Sequence, residues 1–219
     1  MKTIETKIKA VILDLDQTIT TDEASWLQFT RILGADPLAH TEIYENFKHS
    51  KLTYPEAKAQ LLSIWQATGK SNRQDIRMAF NQIRLRDGSI EAIKYLRGKY
   101  QLCIISGAID LFVQTIAEKL AINSWYASTR LKFDTNGNLV DFDYKLSRGE
   151  DKLHFLDDYC NKYDISPDQC AAIGDGESDM PIFSKVALPI LFLAKETTLQ
   201  QRSVIPTRIK EWSEIYDLL

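Results

Sequence analysis

At 219 residues the chain can bury a substantial core, either as one large domain or as a domain carrying an insertion. Its 44% hydrophobic and 26% charged residues argue against a disordered chain or a coiled coil, and a net charge of −3 offers no bulk attraction to nucleic acid or to an anionic membrane surface. Three widely spaced cysteines without a Cys-x-x-Cys pair argue against a disulfide scaffold or a zinc site, and no run is apolar for long enough to span a bilayer or to act as a signal peptide, so the expectation is a cytoplasmic protein with reduced core cysteines.

In chain order, Ala10-Val11-Ile12-Leu13 reads as a fully covered strand of a parallel sheet. It surfaces at Asp14-Leu15-Asp16-Gln17-Thr18, which sets two carboxylates where open α/β sheets bind ligands. The plain alternative is a solvated acidic turn. From there to about Arg84 the apolar residues recur at helical spacing, through Trp26, Leu27, Phe29 and Ile32, then Ile43, Tyr44 and Phe47, then Leu61, Leu62 and Trp65, then Ile76, Phe80 and Ile83. Roughly four helices follow, separated at Gly34-Ala35-Asp36-Pro37, Tyr54-Pro55-Glu56 and Gly69-Lys70-Ser71-Asn72. A block of this size is too long for a simple crossover. It reads as an inserted all-helical cap over residues 19–85, dividing a core made of residues 1–18 and 86–219.

After Arg86-Asp87-Gly88 helices and strands alternate as a doubly wound, three-layer, Rossmann-like parallel sheet requires. Helices are expected over Ser89–Arg97, Ile109–Leu120 and Asp151–Tyr163, and strands over Leu102–Ile105, Trp125–Ser128, Cys170–Ile173 and Val186–Ala194. Asn136-Gly137 signals a hairpin between two further strands, and a last helix is expected over Arg208–Leu218.

Candidate groups therefore stand at Asp14 and Asp16, at Ser106-Gly107, at Lys152, and at Asp175 and Asp179. Such a set suits phosphoryl transfer, which needs an in-line nucleophile, a cation to neutralise phosphate charge, and further donors for the phosphate oxygens. Magnesium favours hard carboxylate oxygens, and Asp14 and Asp175 fit that role. Taken singly, Ser106-Gly107 is a strand end, Lys152 a solvated helix residue and Asp179 before Met180-Pro181 a helix cap. The ordered set outweighs each plain reading.

At these residues the chain resembles the haloacid dehalogenase superfamily, through Asp14-x-Asp16-x-Thr18, Ser106-Gly107, Lys152 and Gly174-Asp175-Gly176-Glu177-Ser178-Asp179, and most of all its phosphoserine phosphatase branch. Lys152 lies twenty-three residues before Asp175, similar to that branch. The resemblance implies a magnesium-dependent phosphatase acting on a small phosphorylated metabolite. Asp14 would be the nucleophile, Asp16 the general acid and base, and Lys152 the neutralising cation. Thr18 would orient Asp16, and Ser106 with the Gly107 amide would hold phosphate oxygens. Magnesium would be bound by Asp14, the Asp16 carbonyl and Asp175, with Asp179 in support. Glu23 stands where the branch carries a substrate-ammonium contact, although Thr20-Thr21-Asp22-Glu23 also reads as a capping box. The cap arginine that this branch uses for the substrate carboxylate has no clear counterpart near Ala59, Gln60 and Leu61. A phosphotransferase passing the phosphoryl group to an alcohol shares every motif. A regulatory module phosphorylated at Asp14 without turnover is the alternative of a different class.

Overall fold

A computed structural model describes residues 7–21, 24–144, 150–193 and 204–219. Among these, seven strands form one sheet: β1 (Ala10–Leu13), β2 (Gln101–Ile109), β3 (Ser124–Phe133), β4 (Leu139–Tyr144), β5 (Cys170–Gly174), β6 (Leu188–Phe192) and β7 (Thr207–Ile209). The order is β4-β3-β2-β1-β5-β6-β7, parallel throughout except for the antiparallel pairing of β3 with β4. This is the expected Rossmann-like α/β class. No helix among the described residues is long and apolar enough to cross a membrane.

All four residues of β1 are buried because the strand is covered on both faces. Val11 and Leu13 point into one core, shared with α5 (Ser89–Lys99) and α6 (Asp110–Lys119), and Ala10 and Ile12 into a second, shared with α7 (Glu150–Tyr163) and the short α8 (Met180–Phe183). Leu13 sits level with Ile104 of β2 and Ile173 of β5; β1 and β5 end there at the same edge of the sheet, and the parallel β2 runs on to Ile109.

Four helices stand between β1 and α5: α1 (Ser25–Leu33), α2 (Pro37–Lys48), α3 (Tyr54–Gln66) and α4 (Arg73–Asn81). Their starts follow the sequence punctuation. Asp36 accepts from the Leu38 amide at 2.9 Å with Pro37 at the first position, Asn72 accepts from the Gln74 amide at 3.0 Å, and Thr53 and Glu56 form a reciprocal capping box. Gly34, with φ of 86°, supplies the left-handed residue that ends α1. The block leaves and rejoins the sheet through an antiparallel bridge between Thr20 and Leu85. Its apolar side continues into the sheet's own core, since Phe80 packs on Phe29 and on Phe112 of α6 with both pairs of rings 5.0 Å apart. It is also fastened to the hairpin: Lys58 donates to the Phe142 carbonyl at 3.1 Å and pairs with Asp141 at 2.7 Å, Gln66 donates to the Leu139 carbonyl at 2.8 Å, and the Tyr144 amide donates to the Tyr54 hydroxyl at 2.9 Å. The hairpin forms where expected, though of Asn136-Gly137 only Gly137 is left-handed, at φ 82°, and the Asp134 carboxylate accepts from the Asn136 and Asn138 amides.

Two expectations change. The runs Trp125–Ser128 and Arg130–Phe133 join into the single strand β3. The last helix is replaced by β7 followed by a 3-10 turn over Trp212–Asp217. Ile209 pairs beside Phe192 on the sheet, and Trp212 and Ile215, three apart, are both buried by a helix of three residues per turn. Of the predicted strand Val186–Ala194, Leu188–Phe192 is strand and Ala194 lies outside the described residues. His40 of α2 is buried between α1 and α3, its Nδ1 2.6 Å from the Thr30 hydroxyl that also accepts from the Trp65 indole at 2.9 Å.

Candidate active site

The loop leaving β1 turns back on itself at once. The Ile19 and Thr20 amides both donate to the Leu15 carbonyl, at 3.0 and 3.1 Å, and Leu15 and Ile19 are fully buried. Closing so short a loop holds Gln17 at a left-handed φ of 63°. Arg86, on the return path of the helical block, donates to the Gln17 carbonyl at 2.7 Å and the Thr18 carbonyl at 3.3 Å. The consequence is that Asp14 and Asp16 face different partners.

Asp14 is 5% exposed, and one of its oxygens accepts from Lys152 Nζ at 2.8 Å. Lys152 lies in the first turn of α7 and also donates to Asp179 at 2.7 Å. Burial works against the charge on Lys152, but the two carboxylates outweigh it and hold its ammonium above the ordinary lysine range. Burial likewise pushes the Asp14 carboxyl well above its usual range, with Lys152 opposing and Asp179 and Asp175 reinforcing the shift. The Asp175 carboxyl is pushed up to about 6, by burial first and then by Asp179. Three acids thus share one ammonium. Asp14, Asp175 and Asp179 each bring an oxygen within 4.8 Å of the others', a set of hard donors short of positive charge that fits a divalent cation.

Asp179 reaches this cluster because β5 ends in a glycine. A Cβ on Gly174 would lie 2.4 Å from the Asp179 Cγ and 2.5 Å from its Oδ2. That oxygen accepts from the Gly176 amide at 3.1 Å, so the carboxylate folds back over the end of β5 and does not cap α8.

Asp16 faces the helical block. Its carboxylate accepts from the Ser25 amide at 2.9 Å and the Ser25 hydroxyl at 2.7 Å, at the first turn of α1. Burial raises its pKa against the pull of those Ser25 bonds. Thr20 donates its hydroxyl to the Leu15 carbonyl and accepts from the Gln17 amide at 3.0 Å, and Asp16 meets the first turn of α1; the other half of the capping box read from Thr20-Thr21-Asp22-Glu23 lies outside the described residues. Glu23 lies outside the described residues. The expected partnership of Thr18 also changes, because its hydroxyl points to Asp14 at 3.4 Å while Asp16 is held by Ser25 and Thr20.

Ser106 is fully buried on β2, beside the irregularity that shifts the register with β3 between Ser106 and Ile109. Its hydroxyl accepts from the Ala108 amide at 3.2 Å. Gly107 faces open space, with nothing within 4 Å of the position that a methyl group would take there. The structure therefore joins Asp14, Lys152, Asp175 and Asp179 directly, sets Asp16 against α1, and places Ser106 and Gly107 at the neighbouring strand end. Ser25, Arg86 and Gly174 also shape the site. Of these, only Gly174, inside the Gly-Asp-Gly run, had a sequence signal.

The profile of haloacid dehalogenase-like hydrolases matches residues 11–184. The phosphoserine phosphatase of Methanocaldococcus jannaschii is 25% identical over 194 residues, covering 88% of this chain and 89% of that protein. The phosphoserine phosphatase of Campylobacter jejuni subsp. doylei is 26% identical over 215 residues, covering 97% of this chain and all of that protein. A substrate-bound phosphoserine phosphatase complex superposes with a TM-score of 0.73 at 23% identity, covering 98% of this chain and 100% of that one.

Proposed function

The chain belongs to the haloacid dehalogenase-like hydrolase family, and from that premise we propose that it is a phosphatase that hydrolyses a small phosphomonoester through an aspartyl-phosphate on Asp14. The carrying observation is the division between two neighbouring carboxylates: Asp14 accepts from the buried Lys152 ammonium beside Asp175 and Asp179, and Asp16 accepts from the Ser25 amide and hydroxyl at the start of α1. Lys152 opposes the effect of burial on Asp14 and favours the carboxylate form that attacks, while Asp16, away from that ammonium, is placed to carry the proton as general acid.

In the first step a carboxylate oxygen of Asp14 bonds to phosphorus, the ester P–O bond breaks, and Asp16 gives its proton to the departing alkoxide. In the second, water gives a proton to the now ionised Asp16 while its oxygen attacks phosphorus, and the acyl-phosphate bond opens to return Asp14 as a carboxylate. Lys152 neutralises Asp14 and the incoming phosphate, Ser106 and the Gly107 amide hold phosphate oxygens, and Thr18 steadies Asp14. Magnesium held by Asp14, Asp175, the Asp16 carbonyl and Asp179 would neutralise phosphate charge when bound. Residues 1–18 and 86–219 form the catalytic core in this reading, with residues 19–85 as the cap; the Thr20–Leu85 bridge at the joint supports that division. Glu23, just before the first cap helix in sequence, is a substrate contact.

The reading is tested by phosphate release from p-nitrophenyl phosphate with and without magnesium. Metal-dependent turnover that is lost in Asp14→Asn and falls by at least about a hundredfold in Asp16→Asn is expected. Equal turnover in wild type and Asp14→Asn would refute it, and phosphate appearing mainly on an added alcohol would make the enzyme a phosphotransferase.

A further inference from the structure

Resting on that reading, we infer that Arg86 is the positioning residue for proton transfer: it holds the chain just after Asp16 and so places the acid, while the nucleophile is placed without it. Arg86 belongs to none of the strand-end motifs, yet three consecutive carbonyls of the loop accept from it. Its side chain donates to Gln17 at 2.7 Å and to Thr18 at 3.3 Å, and its backbone amide donates to Ile19 at 2.8 Å. Carbonyl dipoles turned toward one residue repel one another, and Gln17 among them sits at φ 63°, where a residue with a Cβ is strained. Taking the guanidinium away lets this segment relax.

Arg86 can act as a clamp because it is itself fixed to the core. Its carbonyl accepts from the Ser89 amide at 3.0 Å in the first turn of α5. Its guanidinium lies 5.0 Å from the centre of the fully buried Phe192 ring at the end of β6. The planar fork serves two carbonyls in one geometry, as the point charge of a lysine does not.

The two carboxylates depend on this clamp unequally. Asp14 continues β1: its amide donates to the Ile173 carbonyl of β5 at 2.8 Å, and its carboxylate accepts from Lys152 at 2.8 Å. Its tie to the clamped segment is the long 3.4 Å contact from the Thr18 hydroxyl. Asp16 stands one residue further from the sheet, and Gln17 follows it at once, so a turn of the Gln17 peptide carries the Asp16 backbone with it. A proton donor displaced by about 1 Å costs up to a hundredfold in rate. A nucleophile left in place keeps its attack.

The experiment compares kcat/KM, which reports the chemistry up to departure of the leaving group, for p-nitrophenyl and phenyl phosphates. p-Nitrophenolate departs with little help from a proton, and phenolate needs more. Arg86→Ala should slow the phenyl ester by about tenfold or more and the p-nitrophenyl ester by less than about threefold. Arg86→Lys, which keeps the charge and loses the fork, should show the same bias at smaller size. The ratio of the two rates within one variant is independent of the fraction of protein that is folded, so lost stability cannot imitate the bias. Asp16→Asn, measured alongside, should show it in full. Equal losses on the two esters, no loss on either, a heavier loss on the p-nitrophenyl ester, or no turnover in either Arg86 variant would overturn the inference and leave the phosphatase reading standing. Asp16→Asn without the bias would instead overturn Asp16 as the acid, and with it the reading beneath.

Discussion

Gly174→Ala tests whether the cluster depends on close approach at the end of β5. The new methyl would stand 2.4 Å from Cγ, 2.5 Å from Oδ2 and 2.9 Å from Cβ of Asp179. Gly174 is locked in register with Leu191 in the middle of the sheet, so Asp179 must move. Clearing Cγ to an ordinary contact takes about 1 Å, enough to break the 3.1 Å bond from the Gly176 amide and the 2.7 Å bond from Lys152. Losing one charge-assisted bond and unpairing a buried carboxylate costs about 3–5 kcal/mol. Asp179→Gly removes all three obstructing atoms, and in that background Gly174→Ala should cost less than about 1 kcal/mol, a coupling of about 2–4 kcal/mol between the sites. Urea unfolding of the four proteins, fitted with a common m-value, measures the cycle. A Gly174→Ala cost under about 1 kcal/mol in the wild-type background, or additive costs across the cycle, would refute the reasoning.

Other expectations concern the neighbours of the site. Ser25→Ala removes the hydroxyl that lowers the Asp16 pKa, so the alkaline limb of the kcat profile should move to higher pH while kcat falls by about tenfold; an unmoved or lowered limb would count against Asp16 as the acid. His40 is held neutral, with its pKa brought down by burial to about 4 from 6.5, so its contribution is fully present above about pH 6.5 and lost as the pH falls to about 4. That loss amounts to about 3 kcal/mol, and it should be absent from the pH dependence of unfolding in His40→Gln. Chelation should abolish activity and lower the melting temperature, and magnesium at a hundred times its Kd should return about 2.7 kcal/mol of stability in wild type but not in Asp175→Asn.

Strand ends advertise themselves in sequence because an apolar run stopped by acids or by Ser-Gly has few structural readings, and Asp14, Ser106 and Asp175 were legible for that reason. Lys152 and Asp179 became legible only as members of an ordered set. What escaped depends on approach in space. Nothing in the local sequence of Ser25 shows that it will close on Asp16 nine residues earlier, because that contact follows from the fold-back of the chain on Leu15. The same fold-back redirected Thr18, whose spacing alone fitted another task. At the carboxyl end, Ile209, Trp212 and Ile215 matched a helical repeat, and the open edge of β6 claimed the first of them for a strand.

The flanking of β1 by β2 and β5 also bears on how the protein comes to life. Asp14 and Lys152 meet across 138 residues of chain, and β1 aligns with β5 only after the helical block and three further strands, β2, β3 and β4, have been made. Contacts so distant in sequence carry the largest loop-closure cost and form late. A nascent chain that has emerged only as far as the hairpin holds Asp14 without Lys152, so the proposed site is completed with the last third of the polypeptide and not by degrees. During refolding, returning activity should therefore mark the completion of the sheet, and not the earlier formation of helices.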